Sequence, residues 1–176
     1  MVLSGIPTGI IGFAGKQFFK GLFGQPFVVS LLIIVTGIFL FIASRQKDLH
    51  AEVDAKRAFV IGIAPGIAVA PGISRSGSTI GTALLLGIKP KEAAEFSFLI
   101  GIPAMIIASA LTLMEGPAGP SGIGPLVVAV VAAFLAGYAS IGLFMKVLQE
   151  NRLYYFAIYC VIAGTVFAIL THLRGY

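Results

Sequence analysis

The segment Pro71-Gly-Ile-Ser-Arg-Ser-Gly-Ser-Thr79 carries the densest set of chemically active groups in the chain. Arg75 offers a permanent positive charge and five N–H donors in a planar fork. Ser74, Ser76, Ser78 and Thr79 add hydroxyls, while Gly72 and Gly77 allow backbone shapes that other residues resist. The spacing predicts a helix starting at about Ser78, whose free first-turn amides attract anions. A guanidinium, several hydroxyls and a helix N-terminus together suit phosphate oxygens. The segment also has the outline of a Walker A loop, Gly72-x4-Gly77-Ser78-Thr79. That reading is set aside, because the lysine is missing and no strand precedes the loop.

The setting of Arg75 sharpens the point. A charged side chain at the centre of a bilayer costs about 2.5–3.5 kcal/mol even on the lenient insertion scale. It is retained there with a partner, a cavity or a task. The plainer alternative is an arginine that snorkels to the interface above serines that only pack.

The elements around this segment are membrane elements. Of 176 residues, 58% are hydrophobic and 11% charged, against about 25% charged in a soluble domain. Mean hydropathy is +1.02. A core of this size cannot hide so much apolar surface, so the excess faces lipid. The net charge of +5 and pI of about 9.6 would raise nucleic acid as a partner in a soluble protein. Here the basic residues lie between apolar runs, where topology signals belong, and nucleic acid is excluded. The single cysteine, Cys160, sits in an apolar run and reads as a buried, inert thiol; no Cys/His cluster suggests zinc, and no metal ligands are assigned. The opening Met-Val-Leu-Ser-Gly-Ile-Pro lacks a basic region before its apolar stretch and reads as the middle of a hydrophobic helix rather than a signal peptide.

The fold class is therefore all-α, a polytopic membrane helix bundle forming one transmembrane domain over residues 1–176. A short apolar run, 2–14, precedes an aromatic-basic anchor, Lys16-Gln-Phe-Phe-Lys20. Pro26 opens a clean span to about Ala43, and the polar stretch 44–57 follows. Two apolar pieces, 58–70 and 79–88, flank the phosphate loop, and each is too short to cross about 30 Å of hydrocarbon. Together, residues 58–88 read as a re-entrant helical hairpin carrying that loop. Irregular backbone at membrane depth is tolerated where protein or a water-filled cavity surrounds it. Further spans run over about 93–114, 125–147 and 153–171, with a Gly/Pro-rich loop at 116–124.

Charge supports the return of the hairpin to its own side. An even number of crossings over 58–88 places the basic clusters of 45–57, Lys89/Lys91 and Lys146/Arg152 on one face, the cytoplasmic one. Lys16, Lys20 and Arg174 then fall outside. Glycine pairs at four-residue spacing, Gly5/Gly9, Gly62/Gly66 and Gly77/Gly81, allow close helix approach, and packing is the reading for the first pair. Glu92 and Glu95 suit a helix N-terminus. Asp48 and Glu52 read as a solvated face, His50 and His172 as boundary residues, and Tyr154, Tyr155 and Tyr159 as interfacial belt and packing residues.

With these residues in view, the chain resembles the undecaprenyl-diphosphate phosphatase (bacitracin-resistance) family. The resemblance rests on the nine-residue motif, on Leu84-Leu-Leu-Gly-Ile88, and on Glu92-Ala-Ala-Glu-Phe-Ser-Phe-Leu99 with Ile102-Pro103. Gly5-Ile-Pro-Thr8 and Ile61-Gly-Ile-Ala64 extend it along essentially the whole chain. It implies two inverted, re-entrant repeats in a bacterial inner membrane. It also implies hydrolysis of undecaprenyl diphosphate to the monophosphate, which recycles the carrier lipid of cell-wall synthesis. By this resemblance Arg75, Ser74 and Ser76 are the catalytic candidates, and Gly72, Arg75, Gly77, Ser78 and Thr79 bind substrate. The isoprenoid diphosphate lipid and the bilayer are the implied partners, with a homo-oligomer or a complementing N-terminal half.

The family's N-terminal repeat carries paired glutamates and a histidine, taken to hold a divalent cation such as Mg or Ca. No match to that motif occurs in this sequence, so the chain reads as the C-terminal portion of the fold, with the cation's ligands not visible. Two other functions stay open at this point. One is a lipid-phosphate or anion transporter or flippase, since re-entrant repeats with anion-binding helix ends are a transporter design. The other is an inactive fragment.

Overall fold

The computed structural model describes residues 2–22, 24–47, 50–114, 123–150 and 152–173. Among them are the helices α1 (Val2–Leu22), α2 (Pro26–Ser44), α3 (Ala55–Ile67), α4 (Arg75–Leu85), α5 (Pro90–Met114), α6 (Ile123–Gln149) and α7 (Tyr154–Leu173). No strand occurs among the described residues; one isolated parallel bridge joins Ala51 to Ile88. Four helices, α2, α5, α6 and α7, are long and apolar enough to cross a membrane. The chain is a multi-pass membrane protein. The 115–122 segment, Asp48 and Arg174 lie outside the described residues, as do the side chains of Lys16 and Lys20.

Element boundaries follow local chemistry. Pro26 starts α2 at a position where its missing N–H costs nothing. Asp54 caps α3, its carboxylate accepting the Arg57 N–H at 2.7 Å. α4 ends in a Schellman arrangement: Gly87 has φ of +83°, its N–H reaches Leu84 O at 2.9 Å, and the Ile88 N–H reaches Ala83 O at 3.0 Å.

One boundary departs from expectation. The apolar run of 2–14 does not stop before an interfacial anchor; α1 continues through Lys16-Gln-Phe-Phe-Lys20 to Leu22. Gly15 and Gly21 each cost only about 1 kcal/mol in a helix, and no proline interrupts the helix between Pro7 and its end.

α3 and α4, with 13 and 11 residues, extend about 20 and 17 Å. They pack on each other, α3 also against α1, and α4 also against α2 and α5. Close approach is built on glycine in two places. A side chain at Gly62 would strike the Ser4 backbone, and one at Gly66 would stand 2.8 Å from Ile11 Cβ. At the α2–α7 contact, a Cβ at Gly37 would lie 2.8 Å from Ala157 O and 3.0 Å from Val161 N, and one at Gly164 would lie 2.9 Å from Ser30 O. Gly5 and Gly9 differ from the packing role read for them: nothing lies within 4 Å of a Cβ at either. Thr8 adds a polar tie between α1 and α3, its hydroxyl lying 2.6 Å from Gly62 O.

Gly37→Ala is expected to lower stability by about 1–3 kcal/mol, because the backbone of α7 has to move. Gly9→Ala, in open space, is expected to be neutral or to stabilise by about 0.5–1 kcal/mol. Thermal unfolding of the two variants in one detergent checks this, and equal midpoints would refute the proposed α2–α7 seam.

The core gathers at one end of the bundle. Leu40, Ala43, Leu84, Ile88, Ala93, Leu148, Leu153 and Ala157 are buried together. Ala43, Gln46, Pro90, Leu148 and Leu153 border one small hollow there. The C-terminal ends of α2, α4 and α6 thus meet the N-terminal ends of α5 and α7. The segments bearing Arg45, Lys89/Lys91 and Lys146/Arg152 converge at that end. Phe144 of α6 bridges to α5 and α7, with ring centroids 6.1 Å from Phe98 and 5.2 Å from Phe156. The rest of α6 is exposed along nearly its whole length, as a lipid-facing helix would be.

Candidate functional site

Seven residues, 68–74, join α3 to α4. The helix expected near Ser78 starts one turn earlier, at Arg75, because Ser74 supplies the cap. Its backbone is extended, and its Oγ accepts the Gly77 N–H at 3.1 Å. The Ser78 N–H donates to Ser74 O at 2.8 Å, continuing the helix. No acceptor for the Arg75 and Ser76 amides occurs among the described residues. These are the two first-turn donors open to an anion.

Gly72 makes the turn possible. Its φ of +92° lies in the left-handed region, and a Cβ there would stand 2.5 Å from Val29 O and 3.1 Å from Leu32 Cβ. The loop is therefore pressed directly against α2. Thr36 of α2 meets it: the hydroxyl lies 3.3 Å from Gly72 O and accepts the Ser74 N–H at 3.4 Å.

Arg75 turns toward α5. Its Nη2 donates to Ile100 O at 3.3 Å. A Cβ at Gly101 would lie 3.4 Å from Nη1, an ordinary contact distance, so the guanidinium lies close against this turn of α5. Ile100 is ten residues beyond the Pro90 start of α5, about 15 Å along the axis and hence near the middle of a membrane span. Pro103 lacks the N–H that Leu99 O would accept, so this turn of α5 is already one hydrogen bond short beside the carbonyl that receives Arg75.

The described ion pairs are Arg57–Asp54 at 2.9 Å, Lys91–Glu95 at 3.9 Å and Arg152–Glu150 at 3.3 Å, all at exposed positions. None reaches Arg75. Its guanidinium is half-buried, with one carbonyl partner for five N–H donors and no carboxylate to neutralise it among the described residues. A cation in this state leaves most of its donors available to an anion or to water.

The hydroxyls of the motif divide. Ser78 donates to Ser74 O at 2.8 Å, and buried Thr79 donates to Arg75 O at 2.8 Å. Their protons are engaged by the helix's own carbonyls. Ser78, with Thr36 and Thr82, borders a groove of about 360 Å³ between α2, α3 and α4, otherwise walled by residues such as Val35, Phe39 and Ile63. Ser76 is exposed and opens into a different hollow, of about 400 Å³, with Phe98, Ser140, Phe144 and Phe156. Successive residues turn by about 100° on a helix, which sends Ser76 and Ser78 to different sides. The structure thus joins Arg75, Thr79 and the open amides at one helix end, and makes Ser74 a cap. It does not gather all the hydroxyls around one point.

The remaining candidates keep local surroundings. Glu92 lies in the first turn of α5, and Glu95 pairs with Lys91. His50, His172, Tyr155 and Tyr159 are exposed, and Tyr154 is half-buried. Cys160 is half-buried rather than buried, packed against the margin of the core cluster. No group of three His, Cys, Asp or Glu occurs among the described residues. Among the described residues, a guanidinium beside hydroxyls and one carbonyl does not fit a divalent cation, which needs several oxygen ligands, usually with at least one carboxylate, and is repelled by the arginine. No chemical step is assigned to Mg or Ca on these residues.

Sequence reasoning missed Thr36, Gly101 and the carbonyl of Ile100. A threonine inside a span of such high hydropathy was the one available signal.

A family model described as bacitracin resistance protein BacA matches residues 1–166. The chain belongs to the BacA family. It is 42% identical over 171 residues to the undecaprenyl-diphosphatase of Syntrophotalea carbinolica, covering 95% of this chain and 65% of that protein. It is 34% identical over 175 residues to the undecaprenyl-diphosphatase of Christiangramia forsetii, covering 98% and 66%. The undecaprenyl-diphosphatase of Methanothermobacter thermautotrophicus is 35% identical over 167 residues, covering 91% of this chain and 92% of that protein. The chain thus spans just under two thirds of the length of the first two BacA relatives, and nearly all of the third.

Proposed function

We propose that this chain acts in the hydrolysis of undecaprenyl diphosphate to undecaprenyl phosphate and inorganic phosphate, with Arg75 gripping the diphosphate. The observation that carries the reading is a guanidinium with no carboxylate partner among the described residues, at mid-membrane depth beside two open helix amides, in a BacA-family chain. A polyprenyl substrate stays in the bilayer, so its head group has to be met at that depth.

Water attacks the terminal phosphorus, the P–O bond to the bridging oxygen breaks, and the lipid monophosphate leaves. Arg75 and the amides of Arg75 and Ser76 stabilise negative charge on the phosphoryl oxygens as it builds. Ser76 is the hydroxyl free to hydrogen-bond the head group. The described residues place no carboxylate or imidazole beside Arg75. The reading therefore assigns activation of the water to groups beyond the described residues, supplied by an N-terminal repeat or by a second copy. α3 and α4 form a re-entrant hairpin, with the basic end of the bundle facing the cytoplasm. The setting is the inner membrane of a bacterial cell, where the product returns to peptidoglycan synthesis and the activity supports bacitracin resistance.

The test is phosphate release from undecaprenyl diphosphate by the purified chain in detergent, alone and with a chain supplying the N-terminal repeat. Stoichiometric inorganic phosphate is expected in at least one arrangement. Lipid diphosphate moving between vesicle leaflets uncleaved would instead support a transporter. Release in neither arrangement would end the phosphatase reading.

A further inference from the structure

We infer that Thr36 is the positioning residue of the phosphate loop. The inference rests on the function proposed for Arg75, and its structural half can be tested without that function.

Thr36 is 3% exposed in the middle of α2, and a hydroxyl in such an apolar span is costly unless bonded. A hydroxyl could satisfy itself on its own helix, as Thr165 does with Val161 O at 2.7 Å. Thr36 does more. Its Oγ1 lies 3.0 Å from Leu32 O and 3.3 Å from Gly72 O, and it accepts the Ser74 N–H at 3.4 Å. Its single proton is shared between Leu32 O and the carbonyl of the residue at positive φ, while its lone pair takes the amide of the residue that caps α4, and that accepted bond is its own tie to the loop. Ser74 in turn binds the Gly77 amide, so the direction in which α4 leaves the loop depends on the height at which Thr36 holds it.

α2 is itself a firm base for this contact. The residue after Thr36 is Gly37, whose lack of a side chain lets the α7 backbone at Ala157 and Val161 come against it. A continuous set of contacts therefore runs from α7 through α2 and Thr36 to the loop and Arg75. The hydrogen bonds of Thr36 go to Leu32, Gly72 and Ser74 and not to the guanidinium or the open amides, so it acts through the loop and not on the substrate.

Thr36→Val keeps the shape and removes the hydroxyl, and Thr36→Ser keeps the hydroxyl. Amide hydrogen exchange of the detergent-solubilised chain is the direct readout. In the valine variant the Ser74 amide is expected to exchange about tenfold faster, the effect of losing one hydrogen bond. The serine variant is expected to restore the rate, and residues 157–164 of α7 to stay unchanged in both. Phosphate release is expected to fall by about tenfold in the valine variant and to recover in the serine variant. Wild-type exchange at Ser74 in the valine variant overturns the inference. So does acceleration spread equally over α2, the loop and α7, which marks a merely structural role. If no variant and no wild-type chain releases phosphate while Ser74 still responds as expected, the enzymatic reading fails and the positioning by Thr36 stands. Should the valine variant not fold, Thr36→Ala against Thr36→Ser carries the same comparison.

Discussion

Arg75→Met is expected to lower phosphate release from undecaprenyl diphosphate by about 10²–10³-fold, the usual effect of removing one preorganised donor to a developing oxyanion. Arg75→Lys is expected to recover little of this. A lysine keeps the charge but loses the planar fork that meets two phosphate oxygens at once, and its ammonium is more strongly hydrated. Stability should move the other way. Arg75 contributes one hydrogen bond, to Ile100 O at 3.3 Å, and makes no ion pair among the described residues. Removing a charge from mid-membrane depth relieves a cost of about 2.5–3.5 kcal/mol on the insertion scale. The gain exceeds the loss of one hydrogen bond, worth about 1 kcal/mol. The methionine variant should therefore unfold at the wild-type temperature or above while losing activity, the signature of a group retained for function at the expense of stability. Parallel measurement of thermal unfolding and phosphate release separates the cases. Unchanged release removes Arg75 from the mechanism. A large fall in unfolding temperature makes it a structural residue.

Gly72→Ala has the second largest expected effect, by a different route. The glycine holds φ at +92°, and a Cβ at that position would stand 2.5 Å from Val29 O. The left-handed backbone costs a non-glycine residue about 1–2 kcal/mol, and forcing the loop away from α2 costs about 1–3 kcal/mol more. The loop is expected to relieve the clash by lifting off α2, which breaks the Thr36 contacts at 3.3 and 3.4 Å and moves the start of α4. A shift of about 1 Å in a positioned group costs about 100-fold in rate. Release of phosphate should fall by about that factor even where the protein remains folded in detergent. The Ser74 amide should also exchange faster, as in Thr36→Val. Wild-type activity and wild-type stability together in Gly72→Ala would show that the loop does not depend on this close approach.

The absence of a metal-ligating cluster among the described residues bears on both experiments. The described groups around Arg75 suit binding and orienting an anion, and no evident base stands among them. Variants of Arg75 and Gly72 should therefore also weaken binding of the lipid diphosphate, a readout that does not wait on turnover by this chain alone.

Much of the molecule was legible from residues near one another in sequence, because the physics concerned is local. Pro26, the capping Asp54 and Gly87 mark boundaries through backbone geometry. The long apolar runs identify α2, α5, α6 and α7 because about 20 residues are needed to cross hydrocarbon. The brevity of α3 and α4 follows from the polar and Gly/Pro punctuation around them. Arg75 was legible as the candidate anion-binding group, since its charge is conspicuous in an apolar setting. Family membership was legible in the motif and its flanking segments.

Tertiary structure decided what those groups face. The start of α4 at Arg75 instead of Ser78 depends on the Ser74 hydroxyl turning back onto Gly77. That one-turn change fixes which side each serine presents, sending Ser76 and Ser78 to separate hollows. Thr36 could not be singled out, since a threonine in a span can always bond its own helix; only the approach of the loop gives it a second role. Ile100 receives Arg75 through a backbone carbonyl, an atom every residue has, so no residue type marks it. The sequence by itself determined the solvent of this protein, its helices and its one chemically loaded loop, because hydropathy, capping and residue chemistry act over a few residues. The depth, facing and support of Arg75 were set only by the packing of α2 and α5 around the loop, because those contacts join residues 25 to 38 positions apart.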